Sequence, residues 1–289
     1  MNADRIATEI NDISKSVQIL PAAAKSPILH YRKTIGELFG LLGYVGRMVS
    51  ERVRYKKVID RHTGRLHGMV LVNLIETFER YLEEVAAECI DSLAELVIDD
   101  RFDIFNKIQG SNPASHFRAG TVGKALCESA TWLDCDEINE RFRKILTDPF
   151  VAGGTFYTFP KTGNQEPKSE HWRYDVMSLV WQMRHTSVHN VGVITQSDAV
   201  KMRVLAKMPI AAPRMLMPSR NDIVSLKQFL DDTAEDCNRR IGARLAALLT
   251  TIHAATPALV DPQSTADKIS TAFQIPLAVA TVAGTIAPD

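Results

Sequence analysis

The chain has 289 residues, with 34 Lys and Arg against 34 Asp and Glu, 45% hydrophobic residues and 24% charged ones. That is too apolar for a disordered chain and long enough for one large domain or two small ones. Zero net charge excludes a generally basic nucleic-acid coat and an acidic tail protein, while leaving room for a local basic patch.

The dominant apolar period is helical. Ile28, Tyr31, Ile35, Leu38, Leu42, Val45, Val49 and Val53 recur every three or four residues and predict one long amphipathic helix. A break is expected at Arg61, His62, Thr63 and Gly64. A second long helix follows over 66–97, with Val70, Leu74, Phe78, Tyr81, Val85, Cys89 and Leu96 on its stripe. Residues 99–113 read as a connection, with Gly110, Asn112 and Pro113 as turn formers. Shorter helices are expected over 120–131 and 135–146. The pattern then changes to a loop over 150–167, where Thr155 to Phe159 has the β-branched and aromatic make-up of a small hairpin. A helix resumes over 171–190 with Gly192 as its C-cap, and Pro209, Pro213 and Pro218 mark a linker. Ser219 is the N-cap expected for a helix reaching Ile252, which buries Ile223, Leu226, Leu230, Cys237, Ile241, Leu245 and Leu248. The Ala-, Thr- and Pro-rich end suggests a short docked helix and a frayed tail. The fold class expected is all-α.

Cys89, Cys127, Cys135 and Cys237 are scattered, with no CxxC pair, which predicts free thiols in a reducing compartment. The first residues lack a basic segment followed by an apolar one. The most apolar stretch, 275–287, falls short of the roughly 20 residues that span a bilayer. A cytoplasmic protein without a membrane segment is expected.

No GxxxxGK[ST] loop, GxGxxG turn, GxSxG elbow or HExxH helix occurs. The chemically unusual segment is the helix before Asn190. Around Arg184, the helical neighbours Met177, Val180, Trp181, Val188 and Val191 are all apolar, so the guanidinium interrupts a core stripe and needs an anion beside it. Glu79 is its counterpart, a charge among Val72, Ile75, Leu82 and Ala86, and the two are expected to form a bidentate pair. The adjacent row, Ser178, Gln182, His185 and His189, is polar throughout. Arg184 and His189 lie roughly 140° apart on a regular helix, so two copies facing each other across a two-fold axis would form a composite site. A structural Arg184–Glu79 pair beside a surface histidine fits the same spacing. As a metal pair, His185 and His189 lack an evident third ligand, so neither metal nor cofactor is expected.

Arg184-x4-His189 on a helix, followed by Asn190 and Gly192, resembles the signature of the HEPN superfamily. The run Val70 to Ile90, centred on Phe78-Glu79-Arg80-Tyr81, is similar to the helix that many HEPN families place before it. The resemblance covers roughly 66–204. His185 stands where that family most often has Asn or Asp. The resemblance implies a HEPN-like bundle over 66–207 with a loop or hairpin insertion at 150–170. A helical extension over 1–65 would precede it, and a long helix and tail over 208–289 would follow. It further implies a metal-independent endoribonuclease in which His189 acts on the ribose 2′-hydroxyl or the leaving 5′-oxygen. Arg184 would stabilise the phosphorane, with His185, Glu79 and Asn190 in support. Such proteins often serve as toxins or antiviral-defence effectors, with an antitoxin or defence partner; others keep the fold only as dimerisation or nucleotide- and RNA-binding modules.

One charge asymmetry remains. Arg47, Arg52, Arg54, Lys56 and Lys57 face only Glu51, with Arg61 and Arg65 following. The stretch fits an RNA-backbone track or a solvated helix face. Trp132, Trp172 and Trp181 read as core residues, while Phe156, Tyr157 and Phe159 fit either base stacking or a packed hairpin.

Overall fold

Helices with apolar stripes of this length must bury them against one another, and three long ones do so here. The structure, a computed structural model, describes residues 26–50, 56–93, 96, 121–127, 132–150, 156–158, 170–206, 209–257 and 261–275. Helix α1 (Pro27–Ser50) packs on α2 (Lys56–Leu93), and both pack on α7 (Arg220–Ala255). Ile28, Tyr31, Ile35 and Leu42 are buried from α1, Val70 to Cys89 of the expected stripe from α2, and Ile223 to Leu245 of the expected face from α7. These belong to a single core. Tyr81 ties two of the helices together, its hydroxyl donating to the Ala234 carbonyl at 2.9 Å. Aromatic rings extend the core from Tyr31 through Phe78 and Phe150 to Trp181, with centroids 5.7–6.3 Å apart.

Around this frame lie α3 (Val122–Cys127), α4 (Cys135–Ile145), α5 (Arg173–His189), α6 (Gln196–Ala206) and α8 (Pro262–Phe273). Strand β1 (Phe156–Thr158) pairs antiparallel with β2 (Glu170–Trp172), and β3 (Val193–Ile194) with β4 (Arg214–Met215). The described residues are mostly helical, as the apolar period requires.

The expected break at 61–64 is not there: α2 runs straight through it. Gly64 has another purpose. A Cβ on it would lie 2.5 Å from the Met217 methyl, so the glycine admits the segment leading into α7 and does not end a helix. Position 65 therefore lies within a continuous helix. Between Gly192 and the linker that begins at Pro209 lies α6, a helix the sequence reading did not assign. The linker itself turns back, with Arg214 and Met215 pairing with Ile194 and Val193. The small hairpin is assembled differently from the local reading, because β1 finds its partner in β2, immediately before α5. Tyr157 is buried and meets Phe229 edge-on at 4.9 Å, so it is packed and does not offer a stacking face.

Ser219 caps α7 as expected, with a reciprocal capping box to Asp222. The docked C-terminal helix is α8, which buries Ala266, Ile269, Ala272 and Phe273. The connection at 99–113, Phe159 and the tail from 276 onward lie outside the described residues. Among the described residues no helix is long and apolar enough to cross a membrane. The four cysteines are free and buried.

Candidate active site

Helix α5 starts at β2 and is anchored by Val176, Met177, Val180, Trp181 and Thr186, all buried. Its end is tightly defined. The Asn190 and Gly192 amides both donate to the Thr186 carbonyl, at 3.1 and 3.0 Å. Asn190 is the C-cap, and the chain then passes through positive φ at Val191 (51°) and Gly192 (80°). A β-branched residue disfavours that region, so the turn is held by its surroundings. Asp198 does much of the holding. It is 3% exposed and accepts from Gln182 Nε2 (2.9 Å), Asn190 Nδ2 (2.8 Å), the Thr195 amide (3.0 Å) and the Thr195 hydroxyl (2.9 Å). Burial alone would raise its pKa, but the Thr195 and Asn190 donors and the nearby His185 outweigh that and hold it below the ordinary carboxylate value.

This turn folds α6 back beside α5 and opens a cleft of about 630 Å³ between them, lined also by Leu133, Asp134 and Cys135. The polar row read from the sequence forms one wall: Ser178, Gln182, His185 and His189 all border the cleft. The His185 and His189 rings are 4.7 Å apart, centroid to centroid, and both residues are exposed. Arg184 borders the same cleft, and Lys201 faces it from α6. Arg184 and His189 diverge around the helix, yet the long Arg side chain reaches the space that His189 borders within one chain.

The surroundings of Arg184 differ from the expected buried stripe. Met177, Val180 and Trp181 are buried, but Val188 is 42% exposed and Val191 80% exposed. Arg184 therefore sits where α5 leaves the core. Its expected bidentate pair with Glu79 is replaced by a looser arrangement with two carboxylates. Arg184 Nη2 is 3.5 Å from Glu76 Oε1, and Nε is 3.8 Å from Glu79 Oε1. Glu79 Oε1, Arg184 Nε and Trp181 Nε1 are buried there without a hydrogen-bond partner. The reason is steric and electrostatic: Glu76, one helical turn before Glu79, shares the guanidinium and draws it off centre. Burial pushes the Glu79 carboxyl up to about 7. The Arg184 charge pulls it down and Glu76 pushes it further up.

No known protein family, curated protein or solved structure matches the chain. A functional reading therefore rests on the side chains of this cleft and on the motif they carry.

Of the expected supporting residues, His185 borders the cleft, whereas Glu79 stands behind Arg184 and Asn190 is bound to Asp198 in the turn. Arg52 and Arg54 lie outside the described residues, as do the side chains of Lys56 and Lys57, whose backbone begins α2. Among the described residues no group of three His, Cys, Asp or Glu is placed to hold a metal ion. Two residues escaped the sequence reading, Asp198, buried in the turn, and Lys201, which lines the cleft. The first had a signal: Thr195-x-x-Asp198 is a capping-box pattern, and the Asp198 amide donates back to Thr195 Oγ1 at 3.2 Å.

Proposed function

We propose that the protein is a metal-independent endoribonuclease whose centre is the cleft between α5 and α6. The observation that carries this reading is a single space bordered by two adjacent imidazoles and a guanidinium. In the HEPN-like scheme His189 takes the proton from a ribose 2′-hydroxyl, whose oxygen attacks the adjacent phosphorus. The 5′-oxygen leaves with a proton supplied by an imidazole, and Arg184 balances the charge of the phosphorane. The products are a 2′,3′-cyclic phosphate and a 5′-hydroxyl. Lys201 is suited to hold a flanking phosphate.

The same reading includes a homodimer acting in the cytoplasm as a toxin or antiviral-defence effector, restrained by an antitoxin or defence partner. Val200 and Val204 border the cleft while 56% and 70% exposed, and Val188 and Val191 lie exposed at the end of α5. Exposed apolar side chains gathered around a polar cleft favour a second chain covering its rim. A second reading, a non-catalytic HEPN-like binding module, is favoured by one observation: Glu76 and Glu79 already engage the Arg184 guanidinium.

The deciding experiment is brief expression of the wild type and of His189→Ala, followed by incubation of the purified proteins with total RNA in EDTA. The wild type is expected to cut RNA and leave cyclic phosphate ends. His189→Ala, with its exposed side chain, is expected to be inactive at an unchanged Tm. An inactive wild type supports the binding module, and cleavage lost in EDTA and restored by Mg²⁺ contradicts the mechanism.

A further inference from the structure

The polar row along the cleft is not uniform. His185 and His189 stand beside the cations Arg184 and Lys201, whereas Gln182 and Ser178, one and two turns before His185, turn oxygen lone pairs to the same space. Asp198 decides the first of these. It lies behind the row, 3% exposed and outside the cleft lining, and accepts from Gln182 Nε2 at 2.9 Å. A carboxylate only accepts, so the nitrogen must face it, and the amide cannot turn over. Asp198 is itself fixed by Asn190 and by the Thr195 amide and hydroxyl, so its position does not depend on Gln182. Gln182 Oε1 is left directed away from Asp198, and among the described residues no group donates to it. At Ser178 the hydroxyl donates to Cys135 Sγ at 3.5 Å, and the Cys135 thiol donates in turn to the Tyr174 carbonyl at 3.7 Å. The hydrogen is spent inward and the oxygen lone pairs remain.

A glutamine free to rotate reads donors and acceptors alike. One held by a buried carboxylate selects. Leu133, Val200 and Val204 add apolar surface to the cleft, against which a base can lie, and the volume lies within the range of small-molecule sites. A phosphate beside His185 and His189 puts the base of its nucleotide about 5 Å away, one helical turn along the row, at Gln182. We propose that the cleft selects nucleotides whose base carries an exocyclic amino group, cytosine over uracil, with Gln182 Oε1 as the acceptor that reads it. In the pose where cytosine N4 donates to this oxygen, uracil presents its own O4 carbonyl, and two acceptors face each other. The inference rests on the cleft being the RNA site of the ribonuclease reading.

Fluorescence anisotropy with 2′-O-methyl oligocytidine and oligouridine, neither of which can be cut, reads the selection without turnover. The proteins compared are the full-length wild type, Gln182→Met, which keeps the length and removes the amide, and Gln182→Lys, which keeps a donor for Asp198 and offers no acceptor. The wild type is expected to bind oligocytidine about fivefold to tenfold more tightly, the worth of one hydrogen bond gained and one repulsion avoided. Both variants are expected to keep their fold, because Asn190 and Thr195 still hold Asp198, and to bind the two oligomers equally. The proposal is overturned by equal binding in the wild type, a preference for oligouridine, no binding of either oligomer, or a preference that survives in either variant. Cleavage of the unmodified oligomers in EDTA separates the two readings. Selective binding without cleavage ends the ribonuclease reading and leaves the selection by Gln182 standing, whereas cleavage of both at equal rates with equal binding keeps the ribonuclease and removes the selection.

Discussion

A carboxyl group placed between a guanidinium and a second carboxylate has its charge set by how much water reaches it. Glu79 has 14% of its side chain exposed and titrates near 7, so around neutrality it carries only part of its charge. The half-exposed Glu76 is then the main counter-charge to Arg184, which leaves the guanidinium positive character to offer a phosphate. The sign of the pH effect follows. The unfolded carboxyl releases its proton near 4.5 and the folded one near 7, so between these values the native state holds the extra proton and loses stability as pH rises. Glu79→Gln, which cannot ionise, should therefore gain stability relative to wild type from pH 5 to pH 8. The gain should be on the order of 2–3 kcal/mol at the upper end. Urea unfolding of both proteins across that range measures it, and a constant difference would remove the raised carboxyl from the account.

At the scale of elements, the cleft exists because α5 stops at Asn190 and α6 starts at Gln196, with Asp198 joining the two. Its carboxylate is the common acceptor for the α5 side chain Gln182, the cap Asn190 and the α6 cap Thr195. Asp198→Ala leaves these donors without their charged partner and is expected to cost about 2–4 kcal/mol, alongside reduced activity as the two walls separate. Ser219→Ala, which removes an exposed cap from α7, should cost about 1 kcal/mol. Chemical denaturation gives both values, and equal costs would mean that Asp198 is an ordinary helix cap and not the joint between two helices. Because its pKa is held low, the Asp198 contribution is present above the ordinary carboxylate value and is lost as pH falls through its folded pKa.

For the whole molecule, the open question is whether a site belongs to one chain or to two. Arg184 and His189 border one cleft in a single chain, while the valines around it favour a covering partner. Mixing Arg184→Ala with His189→Ala separates the arrangements once subunit exchange is established. A site that combines Arg184 of one chain with His189 of the other regains activity up to about a quarter of wild type, given random pairing into symmetric dimers. A site complete within each chain stays inactive in the mixture. The expected outcome is recovery of activity. A monomer by sedimentation, or an inactive mixture with proven exchange, would place the whole site in one chain.

Periodicity was enough to find the three long helices, because a stripe recurring every three or four residues states which face must be buried, whatever buries it. The same held for the polar row Ser178, Gln182, His185 and His189, whose spacing alone places it on one face, and for Ser219, whose capping chemistry is local. Gly64 was misleading because a glycine that ends a helix and one that admits Met217 look alike until the second segment is in place. Arg184 was harder still. Apolar neighbours in sequence imply burial only where another element covers them, and none of the described elements covers Val188 or Val191, which stay exposed. What the linear chain determined was which faces are apolar and which residues share a row. The tertiary structure alone decided that Glu76 would share the guanidinium and that Asp198 would fold α6 over α5. Those contacts join residues far apart in the chain, and no local pattern carries the distance between them.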